Sequence, residues 1–289
     1  MTADQARLAT QTVLLTIVAM LAFAANSLLC RLAIGHHLID AASFTAIRVL
    51  AGAATLSAIL AWRGRLIAAR TNDWRPAAAL FTYMVFFSFA YLSLSAGTGA
   101  LILFGAVQLT MFAVALRSGE RFAPIAWIGL AIAIAGLIYL VSPGLSAPDA
   151  LGALLMAVAG IAWGVYSLLG RSARDPLEAT AWAFLYALIP TLVVSIAVDV
   201  TSGAVLTPNG VALAIASGAV ASGCGYVIWY AALRGLTATR AATVQLSVPA
   251  IAALGGVLII GEDLTTRLIL ASLATLGGIA IVLTQRAKR

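Results

Sequence analysis

The chain has 289 residues, of which 63% are hydrophobic and 9% charged, and its formal net charge is +7. Soluble domains run at roughly 45–50% apolar and about 25% charged, so a water-soluble globule of this make-up lacks the polar residues to cover its surface. The positive charge does not point to nucleic acid either, because the arginines stand singly or in pairs between apolar runs and no basic face with interleaved aromatics exists. What remains is a polytopic membrane protein.

A spanning helix needs about 20 apolar residues. Taken in chain order, segments of that length fall at 12–33, 41–62, 76–96, 98–116, 123–142, 151–170, 179–199, 210–233, 239–260 and 267–284. Ala22-Phe23-Ala24 resembles a signal-peptidase site, but the apolar run continues from Val13 to Cys30, longer than a typical leader core of about 7–15 residues, and reads as a retained first helix. Arg63, Arg65 and Arg70 stop the second segment, Pro143-Gly144 the fifth, and Pro208-Asn209-Gly210 precedes the eighth. Between the third and fourth the break is Ser95-Ala96-Gly97-Thr98-Gly99, read as a tight turn. Sustained strand alternation is absent, which argues against an outer-membrane barrel. Cys30 and Cys224 lie inside apolar runs without metal-type spacing and read as inert thiols. No metal or cofactor is expected.

The basic residues set an orientation. With the N-terminus inside, one side collects Arg7, Arg63, Arg65, Arg70, Arg75, Arg117, Arg121, Arg171, Arg174, Arg234, Arg240, Arg286, Lys288 and Arg289, and the other keeps only Arg31 and Arg267. This positive-inside bias places both termini in the cytoplasm and requires an even number of spans, which ten satisfies.

The two halves resemble each other. Gly119-Glu120-Arg121 precedes the segment carrying Gly136, and Gly261-Glu262-Asp263 precedes Gly278, 142 residues on. Tyr91-Leu92-Ser93-Leu94 echoes Tyr230-Ala231-Ala232-Leu233, and Phe23-Ala24-Ala25-Asn26-Ser27 echoes Trp163-Gly164-Val165-Tyr166-Ser167 at an offset of 140. The halves, 1–145 and 146–289, hold five segments each, and an odd count turns the second upside down in the membrane. Inverted repeats around a midplane site characterise many transporters. The fold class expected is thus an all-α membrane protein of ten helices in two inverted five-helix repeats.

The two Gly-Glu turns, the helix carrying Ser247-Val248-Pro249, and the apolar helix with a late glycine after each turn resemble the EamA repeat of the drug/metabolite transporter superfamily. The resemblance covers nearly the whole chain and departs in the first half, where Val107 stands in place of the proline. Within that family the chain is most similar to the YddG-type amino-acid exporters. The resemblance implies a multi-pass protein of the bacterial inner membrane, alone or as a homodimer, that exports small metabolites, most naturally amino acids including aromatic ones. The resemblance to the small multidrug resistance proteins is more distant. They exchange protons at a membrane glutamate that this chain lacks.

All ten acidic residues sit at segment ends or in loops, and His36 and His37 lie in the first outer loop. Proton relay through an intramembrane carboxylate is therefore not expected, nor is hydrolysis, which needs a base beside a nucleophile. Arg48 is the single charge deep in a segment. It is open to two readings, a contact for a substrate carboxylate or a snorkelling or carbonyl-bonded structural arginine.

Asn26, Gln108 and Gln245 offer neutral donors and acceptors to a zwitterion, with Gln108 and Gln245 the preferred contacts. Trp163, between Gly160 and Gly164, Tyr166, Tyr83, Tyr91, Tyr226 and Tyr230 are expected to form cavity walls. Trp62, Trp74 and Trp182 read as interfacial. The segments carrying these groups are expected to line the path, with the fifth and tenth at the periphery or a dimer face. Glu120 and Glu262 read as turn residues capping the helices that follow. The alternative solutes are a quaternary cation, for which the aromatics offer a cage, and a purine or nucleotide sugar. For a nucleotide sugar, paired basic groups are missing.

Overall fold

The computed structural model describes residues 3–64, 73–144, 146–171, 173, 175–236 and 238–284. Seven unbroken helices come first: α1 Ala3–Gly35, α2 Ala41–Trp62, α3 Arg75–Ala90, α4 Ala96–Arg117, α5 Pro124–Val141, α6 Ala150–Arg171 and α7 Pro176–Ser202. Next, α8 Pro208–Ala216 runs through a π-helical turn, Ser217–Cys224, into α9 Gly225–Leu233. Then α10 Ala238–Gln245 leads past Leu246 into α11 Ser247–Gly255 and a second π turn, Gly256–Ile260, and α12 Thr266–Thr284 follows. Nine helical stretches among the described residues are long and apolar enough to cross a membrane, whereas α3 has 16 residues and falls short of that length. Of the basic residues in the orientation count, Arg65, Arg70, Arg174, Arg286, Lys288 and Arg289 lie outside the described residues.

Helix ends explain where the polar residues went. The first N–H groups of a helix have no partner within it, and in a membrane protein they must find one. Asp40 Oδ1 accepts from Ser43 N–H at 2.8 Å to open α2, Asp175 Oδ1 accepts from Leu177 and Glu178 N–H to open α7, and Thr207 Oγ1 accepts from Gly210 N–H to open α8. Pro124, Pro176 and Pro208 stand in first turns, where a missing N–H loses nothing.

The break between the third and fourth segments is not at the glycines. Residues 91–95 form the turn, and Ser95 Oγ caps α4 by accepting from Thr98 N–H. Gly97 and Gly99 lie inside α4, where a methyl group would come within 2.7 Å of Ala253 and 2.6 Å of the Tyr91 ring. They serve close packing rather than a turn. In the second half, the stretch carrying Pro249 is interrupted at Leu246, while α4 continues unbroken through Val107.

Equivalent helices of the two halves pair with each other: α2 with α7, α4 with α11, and α5 with α12. The packing of α3 on α6 has its counterpart in that of α1 on α9. Without a hydrophobic force between helices in lipid, small residues set these contacts. A methyl on Gly278 would lie 2.4 Å from the Gly129 carbonyl oxygen, and one on Gly136 would lie 2.6 Å from Thr275 Oγ1. Gly136 and Gly278 are repeat equivalents, so the α5–α12 crossing is made twice by the same device. Outward from this pair, Ile125, Ile128, Ile132 and Ile138 of α5 are exposed, as are Trp62 and Trp74 at helix ends. Trp182 lies in the second turn of α7, stacked on Tyr186, and its indole N–H is buried without a hydrogen-bond partner.

One face of the bundle is tied by an ion pair. Arg31 Nε–H donates to Glu262 Oε1 at 2.8 Å, Arg31 Nη1–H donates to the Tyr91 carbonyl, and Glu262 Oε2 accepts from Ala96 N–H at 2.8 Å. The reading of Glu262 as a cap for the following helix is corrected accordingly. Thr265 Oγ1 caps α12, and Glu262 joins α1 to the start of α4. Arg267, the other basic residue assigned to this side, donates to the Leu140 and Ser142 carbonyls at the end of α5.

Candidate functional site

Several of the candidate residues meet where α1, α3, α4, α6 and α9 converge. A narrow cavity there is lined by Phe23, Asn26, Ser27, Tyr83, Phe87, Leu103, Phe104, Trp163 and Tyr226. It leaves about 10 Å³ for the centre of a water molecule, enough for roughly one water. Rings fill the rest. Trp163 has Tyr83 at 4.8 Å, Tyr166 and Tyr226 each at 5.3 Å, and Phe23 edge-on at 6.3 Å between centroids. Trp163 is aimed here because Gly160 and Gly164 seat α6 directly on α4: a methyl on Gly160 would lie 2.5 Å from the Leu103 carbonyl oxygen. The indole, on the neighbouring face, is left to project.

Behind the rings runs a buried polar network. Asn26 Oδ1 accepts from Ser217 Oγ–H at 2.8 Å and from Ser222 Oγ–H at 3.3 Å, and Ser222 Oγ in turn accepts from Arg48 Nε–H at 3.3 Å. The π turn Ser217–Cys224 makes this network possible, since i→i+5 bonding stacks residues five apart on one face. Gly218 presses this turn onto α2, where a methyl would lie 2.2 Å from the Arg48 carbonyl oxygen. Arg48 is fully buried; its Nη2–H donates to Tyr83 Oη at 3.0 Å, and its guanidinium carbon lies 5.0 Å from the Phe87 ring centre. A second chain of hydroxyls adjoins Trp163: Tyr166 Oη–H donates to Thr180 Oγ1, and Thr180 Oγ1–H to Tyr230 Oη.

The structure therefore divides the residues singled out by sequence. Asn26, Tyr83, Trp163 and Tyr226 line the cavity, and Tyr166 and Tyr230 stand beside it. Three others lie elsewhere. Tyr91 is buried against Gly99, with Oη–H donating to the Ala96 carbonyl at 3.4 Å. Gln108 Nε2–H donates to the Ala242 carbonyl at 3.4 Å in a second, wider cavity with Phe112, Glu120, Phe122 and Ile279 on its walls. Gln245 bonds within its own helix, to the Ala241 carbonyl. Gln108 and Gln245, the amides expected as preferred contacts, both donate to backbone carbonyls away from the aromatic cluster.

Phe87, Phe104, Ser217 and Ser222 were not singled out from sequence. The run Ser-Gly-Ala-Val-Ala-Ser-Gly-Cys, two hydroxyls among small residues in mid-span, was the available signal for the last two.

Comparison with known proteins places this architecture. The chain matches the EamA-like transporter family twice, over residues 10–142 and 150–284. It is 51% identical over 279 residues to the uncharacterized protein PA1977 of Pseudomonas aeruginosa, covering 96% of each chain. It is 33% identical over 165 residues to the threonine/homoserine exporter RhtA of Salmonella typhimurium, covering 55% of this chain and 54% of that one. A crystal structure with 19% sequence identity superposes with a TM-score of 0.66 over 96% of this chain and 99% of the other, which is a likeness of fold. With two matched repeats spanning nearly its whole length and membrane-length helices in each, the chain is a multi-pass membrane protein that belongs to the EamA-like transporter family.

Proposed function

We propose that the protein exports small zwitterionic metabolites, amino acids foremost, across the bacterial inner membrane, by alternating access of two inverted five-helix units with both termini in the cytoplasm. The observation that carries this reading is the cavity itself. Apolar rings meet a few neutral polar groups at the contact of the two repeats, a surface suited to a small solute with a variable side chain. The partial likeness to a threonine/homoserine exporter supports the same substrate class. Among the described residues no carboxylate lines the cavity, so the substrate gradient is the simplest driving force. The exposed isoleucine face of α5 meets lipid or a second copy of the chain.

A second reading has one observation in its favour. Phe23, Tyr83, Trp163 and Tyr226 form the kind of ring cluster that receives a quaternary ammonium. The Arg48 guanidinium directly behind two of the lining rings opposes it.

Counterflow uptake of labelled threonine, methionine and phenylalanine into proteoliposomes of purified protein, with and without a pH gradient, tests the proposal. Saturable uptake indifferent to the gradient is the expected result. Absence of uptake for all three, with uptake of a quaternary ammonium, would transfer the assignment to the second reading.

A further inference from the structure

Arg48 is a full positive charge in mid-span with nothing negative beside it among the described residues. It is 0% exposed, so its guanidinium does not snorkel to either membrane face. Its hydrogen-bond partners are two hydroxyls, Ser222 Oγ and Tyr83 Oη, and no backbone carbonyl among the described residues. The third nitrogen, Nη1, is buried without any partner. The ion pairs formed by Arg31 with Glu262 and Arg75 with Asp73 do not involve it, and no carboxylate of the described residues reaches it. Neither snorkelling nor carbonyl bonding thus accounts for it among the described residues; two hydroxyls and two rings hold part of the guanidinium and leave Nη1 bare. A desolvated guanidinium is stable only when an anion and hydrogen-bond acceptors replace water.

A second buried polar group is unsatisfied. Tyr226 Oη is also buried without a hydrogen-bond partner, and Tyr226 lines the aromatic cavity. Tyr83 and Phe87, on whose rings the guanidinium rests at 5.4 and 5.0 Å, line it too. Two vacant donors, one neutral and one cationic, thus adjoin the cavity: Tyr226 is part of its wall, and the Arg48 guanidinium lies behind its Tyr83 and Phe87 rings.

We propose that Arg48 Nη1–H and Tyr226 Oη–H together form the receptor for a carboxylate, so that the solutes bound here are monoanionic at that end: amino acids and other small monocarboxylates. This rests on the transport reading above for its physiological meaning, but it is a binding claim in its own right. One guanidinium matches one carboxylate bidentately or with a neighbouring hydroxyl. It does not match a diphosphate, for which a second cation would be needed. The substrate's apolar remainder lies against Phe23, Trp163 and Phe104, which must part to admit it, since the closed cavity holds about one water.

The test is a fluorescence titration of the purified full-length protein, with Trp163→Phe identifying the Trp163 signal. The ligands are phenylalanine, phenylalaninamide, phenethylamine and 3-phenylpropionate. The two carboxylates are expected to bind at least tenfold more tightly than the amide and the amine. Tyr226→Phe should weaken the carboxylates several-fold and leave the amide unchanged, and Arg48→Gln should abolish the difference between acid and amide. If Arg48→Gln does not fold, the ligand series on the unaltered protein and Tyr226→Phe decide.

Equal binding of acid, amide and amine, or no saturable binding of any carboxylate, overturns the proposal. Carboxylate binding without counterflow would keep the receptor and remove the transport reading, so the two failures are told apart.

Discussion

Phe23 and Trp163 hold equivalent positions in the two repeats, 140 residues apart, and their rings meet edge-on with centroids 6.3 Å apart. A contact between repeat equivalents lies on the line about which the repeats are related. Here that line passes through the aromatic cavity. The same relation recurs at the α5–α12 crossing, where Gly136 faces Thr275 and Gly278 faces Ala133. The aromatic cavity and the α5–α12 pair are thus organised about one pseudo-symmetry.

That crossing gives a prediction with its own control. Gly278→Ala places a methyl 2.4 Å from the Gly129 carbonyl oxygen and 2.6 Å from Ala133 N, forcing two backbones apart. A methyl on neighbouring Gly277 meets nothing within 4 Å. Thermal unfolding in detergent should show Gly278→Ala destabilised by about 1–3 kcal/mol, the usual range for overpacking. Gly277→Ala should be neutral or stabilised by up to about 1 kcal/mol through helix propensity. Equal behaviour of the two variants would contradict the packing described.

The Arg31–Glu262 pair joins the two halves at one face and is largely shielded, with side chains 23% and 13% exposed. Arg31→Ala and Glu262→Ala should each destabilise, and the double variant should cost less than their sum. A coupling energy of about 0.5–3 kcal/mol is expected for residues in one network. Strict additivity would mean that the pair contributes nothing.

Ser217 and Ser222 converge on one oxygen of Asn26. Either serine alone keeps that oxygen bonded, so Ser217→Ala should be mild, whereas Ser222→Ala also removes the acceptor for Arg48 Nε–H and should cost more. Ser217→Ala with Ser222→Ala leaves the Asn26 oxygen bare as well. The double variant should lose about 1–3 kcal/mol beyond the sum of the singles, the penalty of an unsatisfied buried polar group. Differential scanning of the four proteins checks this.

Some of this arrangement is legible in the chain, and the parts that are not share a physical cause. Repeat spacing aligns Phe23 with Trp163, and Gly160 and Gly164 announce the close α4–α6 approach beside the indole. Acidic residues cluster at segment ends because helix N-termini are where they find donors, as Asp40 and Asp175 do. Helix rotation is harder to read. Gln108 and Gln245 sit in small-residue stretches as a cavity amide would, yet each residue turns a helix by about 100°, and both amides point to backbone carbonyls elsewhere.

In a regular α-helix Ser217 and Ser222 would lie about 140° apart. Their convergence depends on a π turn that no periodicity announces. Glu262 finds Arg31 across 231 residues of sequence, a pairing without local signature.

Trp163 stands at the centre of the ring cluster, while Gln108 lies outside it, so the two separate the cavity from its surroundings. The decisive measurement is counterflow of labelled phenylalanine and threonine into proteoliposomes bearing the unaltered protein, Trp163→Ala or Gln108→Ala, each matched for folded protein by thermal unfolding. Trp163→Ala is expected to lose at least tenfold in initial rate, and Gln108→Ala to retain most of it. Full activity of folded Trp163→Ala would contradict the placement of the transport site in this cavity.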